Sequence, residues 1–147
     1  METDGEHIWR HLEDASCVVF TLQSDEIDRH WPVIESFLET VESPGWGRED
    51  VRLALKNREA QLWGAREGDS IVGIWVTRIE NSYTKRWGLV WITAGVGLDN
   101  VGLYRSHIEP WFKEMGCEFV EIVGRKGWKR IFPDYDEKGL ILVKELL

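Results

Sequence analysis

The residues of this chain best suited to chemistry fall in its second half. Arg125, Lys126, Lys129 and Arg130 crowd four cations into one short stretch of an acidic protein. Such a cluster fits an anion: a phosphate, a nucleic-acid backbone or an acidic partner. It fits equally a solvated helix end paired with Asp134, Asp136 and Glu137 just beyond it. Gly124 and Gly127 flank the cluster and allow a sharp turn or a close backbone approach. Trp128 stands between the cations, placed to pack under a sheet or to stack with an arginine. Tyr104 and His107 are three residues apart, so on a helix they share a face. Cys17 and Cys117 are far apart and form no metal spacing such as CxxC. Each sits in an apolar context, where a thiol acts as a small hydrophobe. No metal site is expected.

The elements that must position these groups belong to an ordinary globular chain. Its 147 residues suit one core, and 43% hydrophobic against 30% charged residues excludes wholesale disorder. The formal net charge of −8 disfavours a general grip on nucleic acid. No apolar run approaches the roughly 20 residues of a membrane span, and the N-terminus lacks a signal-peptide pattern, so a soluble, unsecreted protein is expected. The unusual feature is nine tryptophans, at positions 9, 31, 46, 63, 75, 87, 91, 111 and 128. Large indoles fill cores and want a partner for the N–H. A small domain does not easily hide nine, which leaves some exposed for a protein partner or a homo-oligomer.

Along the chain, residues 1–14 read as a short helix or a loose arm. Cys17 to Leu22 is strand-like. Ser24 or Asp25 is placed to cap a helix whose buried face is Trp31, Ile34, Phe37, Leu38 and Val41, and Ser43-Pro44-Gly45-Trp46-Gly47 breaks it. A second helix covers Arg48 to Asn57, with Val51, Leu53 and Leu55 as contacts. Three strands follow, at Ala60–Ala65, Ile71–Ile79 and Trp87–Thr93, and their short polar connections imply an antiparallel meander. Asn100 to Met115 is helical, and Pro110 inside it predicts a kink or a late restart. Glu118 to Val123 is a strand, a short helix opens near Gly124, Pro133 to Asp136 is a turn, and Leu140 to Leu146 is a last strand.

The order β-α-α-β-β-β-α-β-α-β, with a helix closing on Met115-Gly116-Cys117 and running straight into a strand, resembles the GCN5-related N-acetyltransferase (GNAT) fold. The stretch Gly124-Arg125-Lys126-Gly127-Trp128-Lys129-Arg130, followed by a turn and a Leu/Val strand, resembles GNAT-like proteins of tailed bacteriophages. The resemblance covers Val18 to Leu147. It implies an α+β fold in α/β/α layers: a mixed, mostly antiparallel central sheet with helices on both faces. Residues 1–14 would be an N-terminal arm and 15–147 a single domain.

For chemistry the resemblance implies acetyl-CoA, held where Trp87–Thr93 and Cys117–Val123 lie side by side and diverge. The pantetheine arm would pair with backbone at the end of the earlier strand, and the pyrophosphate would sit on the loop that opens the next helix. The implied cofactor contacts are Ile92, Thr93, Ala94, Gly95, Gly97, Asn100, Val101 and Gly102, with Arg125 reaching the adenosine 3′-phosphate. The family loop [Q/R]-x-x-G-x-[G/A] falls on Val96-Gly97-Leu98-Asp99-Asn100-Val101 and departs from the pattern. Asp99 beside a phosphate costs ~4 kcal/mol at about 4 Å and an effective dielectric of about 20, and it serves equally as a helix N-cap. The implied catalytic residues are Glu121, Tyr135 and Tyr104, with His107 beside Tyr104. The function so implied is a GNAT-like N-acyltransferase with a degenerate pyrophosphate loop and weak or atypical acetyl transfer to an amine, in the cytoplasm, or a host's cytoplasm if phage-encoded. The alternative is a catalytically inactive fold acting as a virion component or a host-directed binding module. A role in nucleotide or DNA modification rests on analogy alone.

Overall fold

In the computed structural model the described residues are 2–3, 6–7, 17–41, 43, 45–95, 101–124, 127–139 and 141–146. The chain opens with β1 (Glu2–Thr3) and β2 (Glu6–His7), an antiparallel pair where the sequence reads as helix or arm. A five-stranded sheet follows, in the order β3 (Cys17–Leu22), β4 (Gln61–Glu67), β5 (Ser70–Asn81), β6 (Arg86–Ala94), β7 (Phe119–Ile122). The pairings β3–β4, β4–β5 and β5–β6 are antiparallel, and β6–β7 is parallel, as expected for strands joined through a helical crossover. This is the α+β arrangement read from the sequence.

Helices cover both faces, because strand side chains alternate and each face presents its own apolar set. On one face lie α1 (Ile27–Leu38) and α2 (Arg48–Lys56), whose Ile27, Ile34, Leu38, Val51, Ala54 and Leu55 pack with Leu62, Ile74, Val76, Ile92 and Ala94. Ala54 takes the inward place expected of Leu53, which is exposed, since Val51 and Leu55 fix the stripe at a spacing of four. The start of α1 also differs from expectation. Neither Ser24 nor Asp25 caps it by its side chain. A 3₁₀ turn, Ser24–Glu26, precedes α1, and Gln23 donates its N–H to Glu26 Oε1 at 2.9 Å.

On the other face Val19, Trp63, Ala65, Trp75 and Val90 meet Leu103, Tyr104, Ile108 and Phe112 from the crossover helix, and Phe132 beyond it. The Phe112 ring lies directly on the backbone of Gly88, where a Cβ would stand 2.3 Å from Cδ1, so only glycine admits the helix this close. Trp63 and Trp75 face each other across β4 and β5. The Trp63 indole donates to Thr77 Oγ1 at 3.0 Å, and Thr77 donates on to Gln61 Oε1 at 2.9 Å. The fully buried Thr77 hydroxyl is thus satisfied in both directions. All eight described tryptophans are buried or half-buried. The large apolar side chains exposed among the described residues include aliphatic ones, Phe119 and Tyr83, with no tryptophan among them.

The crossover helix shows the restart that Pro110 predicts. It begins as α3 (Val101–Leu103), widens into a π-helical turn (Tyr104–Ile108) and resumes as α4 (Glu109–Glu114), with Pro110 in the first turn. Proline has no N–H to give and crowds the carbonyl four residues back, and the wider turn accommodates both. Gly116, at φ +82°, ends it. After β7 comes α5 (Trp128–Ile131), then a turn at Pro133–Tyr135. The last strand expected at Leu140–Leu146 is not formed: residues 141–146 adopt no regular element, and Ile141, Leu142, Val143 and Leu146 are exposed. Their composition suits a strand, but a strand needs a partner. No described helix is long and apolar enough to cross a membrane.

Candidate functional site

The feature that organises the site is a fork between β6 and β7. Their ladder runs through four residue pairs, Trp87 with Phe119 to Val90 with Ile122, and stops. β6 continues for four more residues, Trp91 to Ala94, still paired to β5 on its other side. At the same level the β5–β6 register jumps: Val76 faces Ile92 and Thr77 faces Val90. Trp91 is therefore the extra residue of a β-bulge. A bulge bends and twists its strand and re-aims the side chains beyond it. That is visible in the packing, since Val90 belongs to the crossover-helix face while Ile92 and Ala94 belong to the α1–α2 face. The fork begins where the bulge bends β6. Beyond it, one edge of Trp91–Ala94 offers peptide N–H and C=O groups that β7 does not use.

Gly95 closes the strand at φ +71°. A Cβ there would lie 2.5 Å from Phe37 Cε1 and 2.8 Å from the Val72 carbonyl oxygen, so conformation and space both demand glycine. Of the cofactor contacts expected from the sequence, Ile92, Thr93 and Ala94 form the length of β6 beyond its ladder with β7, Gly95 ends it, and Val101 and Gly102 open α3. Gly97, Asn100 and Arg125 lie outside the described residues, as do Val96, Leu98, Asp99 and Lys126.

Two of the three expected catalytic residues come together. Tyr104, buried at the start of the π turn, and Tyr135, half-buried after α5, have hydroxyls 2.9 Å apart. Tyr135 gives its single proton to Glu109 Oε2 at 2.5 Å. The contact between the phenols is then Tyr104 donating to Tyr135, in a chain that ends on a carboxylate. Glu109 lies five residues after Tyr104, which is the i to i+5 spacing of a π turn. Arg105 Nη1 donates to Asp134 Oδ2 at 3.0 Å, and its guanidinium lies 4.8 Å from the Phe132 ring centre, clamping the turn that carries Tyr135. Burial raises the pKa of both phenols above the ordinary tyrosine range. For Tyr135 the Tyr104 phenol and the hydrogen bond to Glu109 add to it. Asp134 is held below the usual carboxylate range by its hydrogen bond from Arg105.

Glu121 stands apart from this network. It lies exposed on β7 opposite Leu89, one residue before the fork. His107 is half-buried within the π turn. Of the basic cluster, Lys129 donates to the backbone carbonyls of Pro133 and Tyr135, and so serves the turn, while Arg130 is exposed. No group of three or more potential metal ligands occurs among the described residues.

Sequence reasoning missed Glu109 and Arg105, and it paired Asp134 with the basic cluster where the structure pairs it with Arg105. The four-residue spacing of Arg105 and Glu109 was a visible signal, whereas their link to the turn at Asp134 and Tyr135 spans almost thirty positions and leaves no local pattern. It also missed the far side of the fork. The Trp91 ring packs edge-on to Trp46 at 5.9 Å and under Arg78 at 4.9 Å. Trp46 in turn lines an open groove of about 290 Å³ between α1 and α2, with Leu38, Glu39, Val41, Ser43, Gly47 and Arg48. Arg48 lies between the carboxylates of Glu35 and Glu39, at 3.7 and 3.5 Å.

No protein-family model matches this chain, and no curated protein does. Solved structures do. An aminoglycoside acetyltransferase from an uncultured soil metagenomic sample, solved in complexes with trehalose and with sisomicin, superimposes with a TM-score of 0.66 over 90% of this chain and 97% of its own, at 15% identity. A GNAT family acetyltransferase of Staphylococcus aureus gives 0.64 over 89% and 99%, at 11% identity. A predicted acetyltransferase of Clostridium acetobutylicum, solved with acetyl-CoA, gives 0.57 over 89% and 96%, at 16% identity. The chain therefore has the fold of the GNAT acetyltransferases.

Proposed function

We propose that the protein is an N-acyltransferase of the GNAT type, which takes an acyl-CoA thioester into the fork between β6 and β7 and passes the acyl group to an amine. The observation that carries this reading is the coincidence of the Trp91 bulge with the end of the β6–β7 ladder. The amide groups of a pantetheine arm need backbone partners, and the edge of Trp91–Ala94 supplies a short row of them.

In the reaction the amine nitrogen attacks the thioester carbonyl carbon, the C–S bond breaks, an amide forms and the sulfur leaves as a thiol. The amine gives up one proton and the sulfur takes one, so no net proton is consumed. Tyr135 is the candidate donor to sulfur. Its phenol stays protonated at neutral pH, and its hydroxyl turns from Glu109 to donate a hydrogen bond to the developing thiolate while Tyr104 continues to hold its oxygen; the proton that ends on sulfur is the one the amine gives up. Positioning supplies most of the acceleration in such a site, because holding amine and thioester together removes the entropy of a bimolecular encounter. The acceptor approaches from the α1–α2 groove, where Glu39 lies beside Arg48 and Trp46 leads to Trp91 at the fork.

The test is thermal melting with acetyl-CoA, followed by thiol release over a panel of amines that includes amino sugars and peptide N-termini. Ligand at 100 times its Kd stabilises by about 2.7 kcal/mol, about 5–10 °C for a chain of this size. No shift with millimolar acetyl-CoA on a folded sample refutes the reading and leaves a fold without the cofactor.

A further inference from the structure

We infer that the outer edge of β7 is the seat of the C-terminal segment of a second copy of this chain, added as a sixth strand in a symmetric exchange. β7 ends the strand order, so one of its edges is paired to β6 and the other is not taken up by any described strand. An open edge is a template for another strand, and native proteins usually cover or disguise it. Here it is neither. Phe119 and Val123 are 46% and 51% exposed on either side of the exposed Glu121, while Val120 and Ile122 turn inward to the crossover-helix face.

The same chain carries the complementary strand. Ile141, Leu142, Val143 and Leu146 are 72, 88, 61 and 88% exposed. The segment has β-branched residues, no glycine and no proline, and it contains a single adjacent pair of charges, Lys144 and Glu145. Side-chain parity selects one register. With Lys144 beside Glu121, Leu142 and Leu146 fall beside Val123 and Phe119, whichever way the strand runs, and Val143 and Glu145 fall on the side of Val120 and Ile122. A slip of one residue sets Glu145 against Glu121 in one direction and Val143 against it in the other, and a slip of two sets a leucine against Glu121.

The occupant is a second copy because the chain's own segment stands in solvent, off its own edge. Each copy thus offers one tail and one edge, and two such contacts close into a two-fold dimer with nothing left to propagate. The arm leaves from a fixed point, the Tyr135 turn, and the six residues to Ile141 reach up to about 20 Å. This surface is separate from the fork and does not depend on the activity proposed there.

The experiment is light scattering after size exclusion, over a concentration series. The expected species has twice the 17.1 kDa chain mass, and a chain truncated after residue 139 has the single mass with an unchanged circular dichroism spectrum. Glu121→Lys and Lys144→Glu each weaken association about fivefold or more for each of the two symmetric pairs, and the combined variant restores it. A full-length chain that stays at single mass at every concentration overturns the inference, as does a truncated chain that still dimerises. Tail amides protected from hydrogen exchange in a monomer also overturn it, since they mean that the segment closes on its own edge.

Discussion

The Tyr104–Tyr135–Glu109 chain makes a prediction about alkaline stability that separates a built network from an incidental contact. Both phenols have folded-state pKa values raised above the ordinary tyrosine value near 10, chiefly by burial. The negative charge of Glu109 acts in the same direction on both, and on Tyr104 the Arg105 charge opposes it. A raised pKa means that the folded state keeps protons which the unfolded chain has lost. The stabilisation is therefore complete below about pH 10 and is lost as pH rises from there towards the folded values. Each phenol contributes a slope of up to about 1.4 kcal/mol per pH unit, so the pair contributes up to about 2.7. Against a total stability of about 5–15 kcal/mol, two pH units above 10 remove a third or more of it. The assay is urea unfolding followed by circular dichroism from pH 8 to pH 12, for the native chain and for Tyr104→Phe/Tyr135→Phe. The difference between the two isolates the phenols from lysines, arginines and Cys117, which titrate in both. At pH 8 the single variant Tyr135→Phe leaves the buried Tyr104 hydroxyl without its acceptor and loses about 1–3 kcal/mol. In a Tyr83→Phe background, phenolate absorbance rises together with unfolding rather than before it. Parallel stability curves for the native and double-Phe chains, or phenolate forming near pH 10 in a folded protein, refute the reasoning and remove Tyr135 as a hydrogen-bond donor held in the neutral form.

Four further outcomes follow from the packing and the sequence before the crossover helix. Gly88→Ala drives a methyl into the Phe112 ring, both groups being buried, and lowers stability by about 1–3 kcal/mol, seen as a Tm loss of about 2–12 °C. Gly127→Ala, with nothing within 4 Å of the new Cβ, stays within about 0.5 kcal/mol in the same scan. Thr77→Val keeps the shape but strands the Trp63 indole N–H and costs about 1–3 kcal/mol, measured by denaturant midpoint at unchanged slope. Val96→Arg with Asp99→Gly replaces a carboxylate by a cation in the sequence before the crossover helix. It tightens acetyl-CoA about tenfold or more by calorimetric titration if the pyrophosphate lies there, and an unchanged Kd places the phosphates elsewhere.

What the sequence reveals and what it hides divide along a physical line. Periodicity reports which face of an element is buried, so β4 to β7 and α1 are legible to within a few residues, and Pro110 announces the break that becomes a π turn. The bulge is different. Val90, Ile92 and Ala94 alternate as one face of a regular strand, yet Val90 packs against the crossover helix and the other two against α1 and α2. Both faces of this sheet are covered, so either destination is apolar, and the composition is blind to the switch. The tyrosine pair is hidden for another reason. Tyr104 is legible as an inward helix residue, but its partner is set by where α5 delivers the turn after it, and Tyr135 alone carries no pattern. The segment at 141–146 shows the converse error. Its residues satisfy every local requirement of a strand, and the expectation of a last strand took propensity for structure. In the chain by itself the segment has no neighbour, while the edge that matches its apolar and charged positions belongs to β7. The sequence reading makes this segment a strand, and the structure gives it no regular element. A strand needs a neighbour to pair with, and local pattern does not record whether one is present.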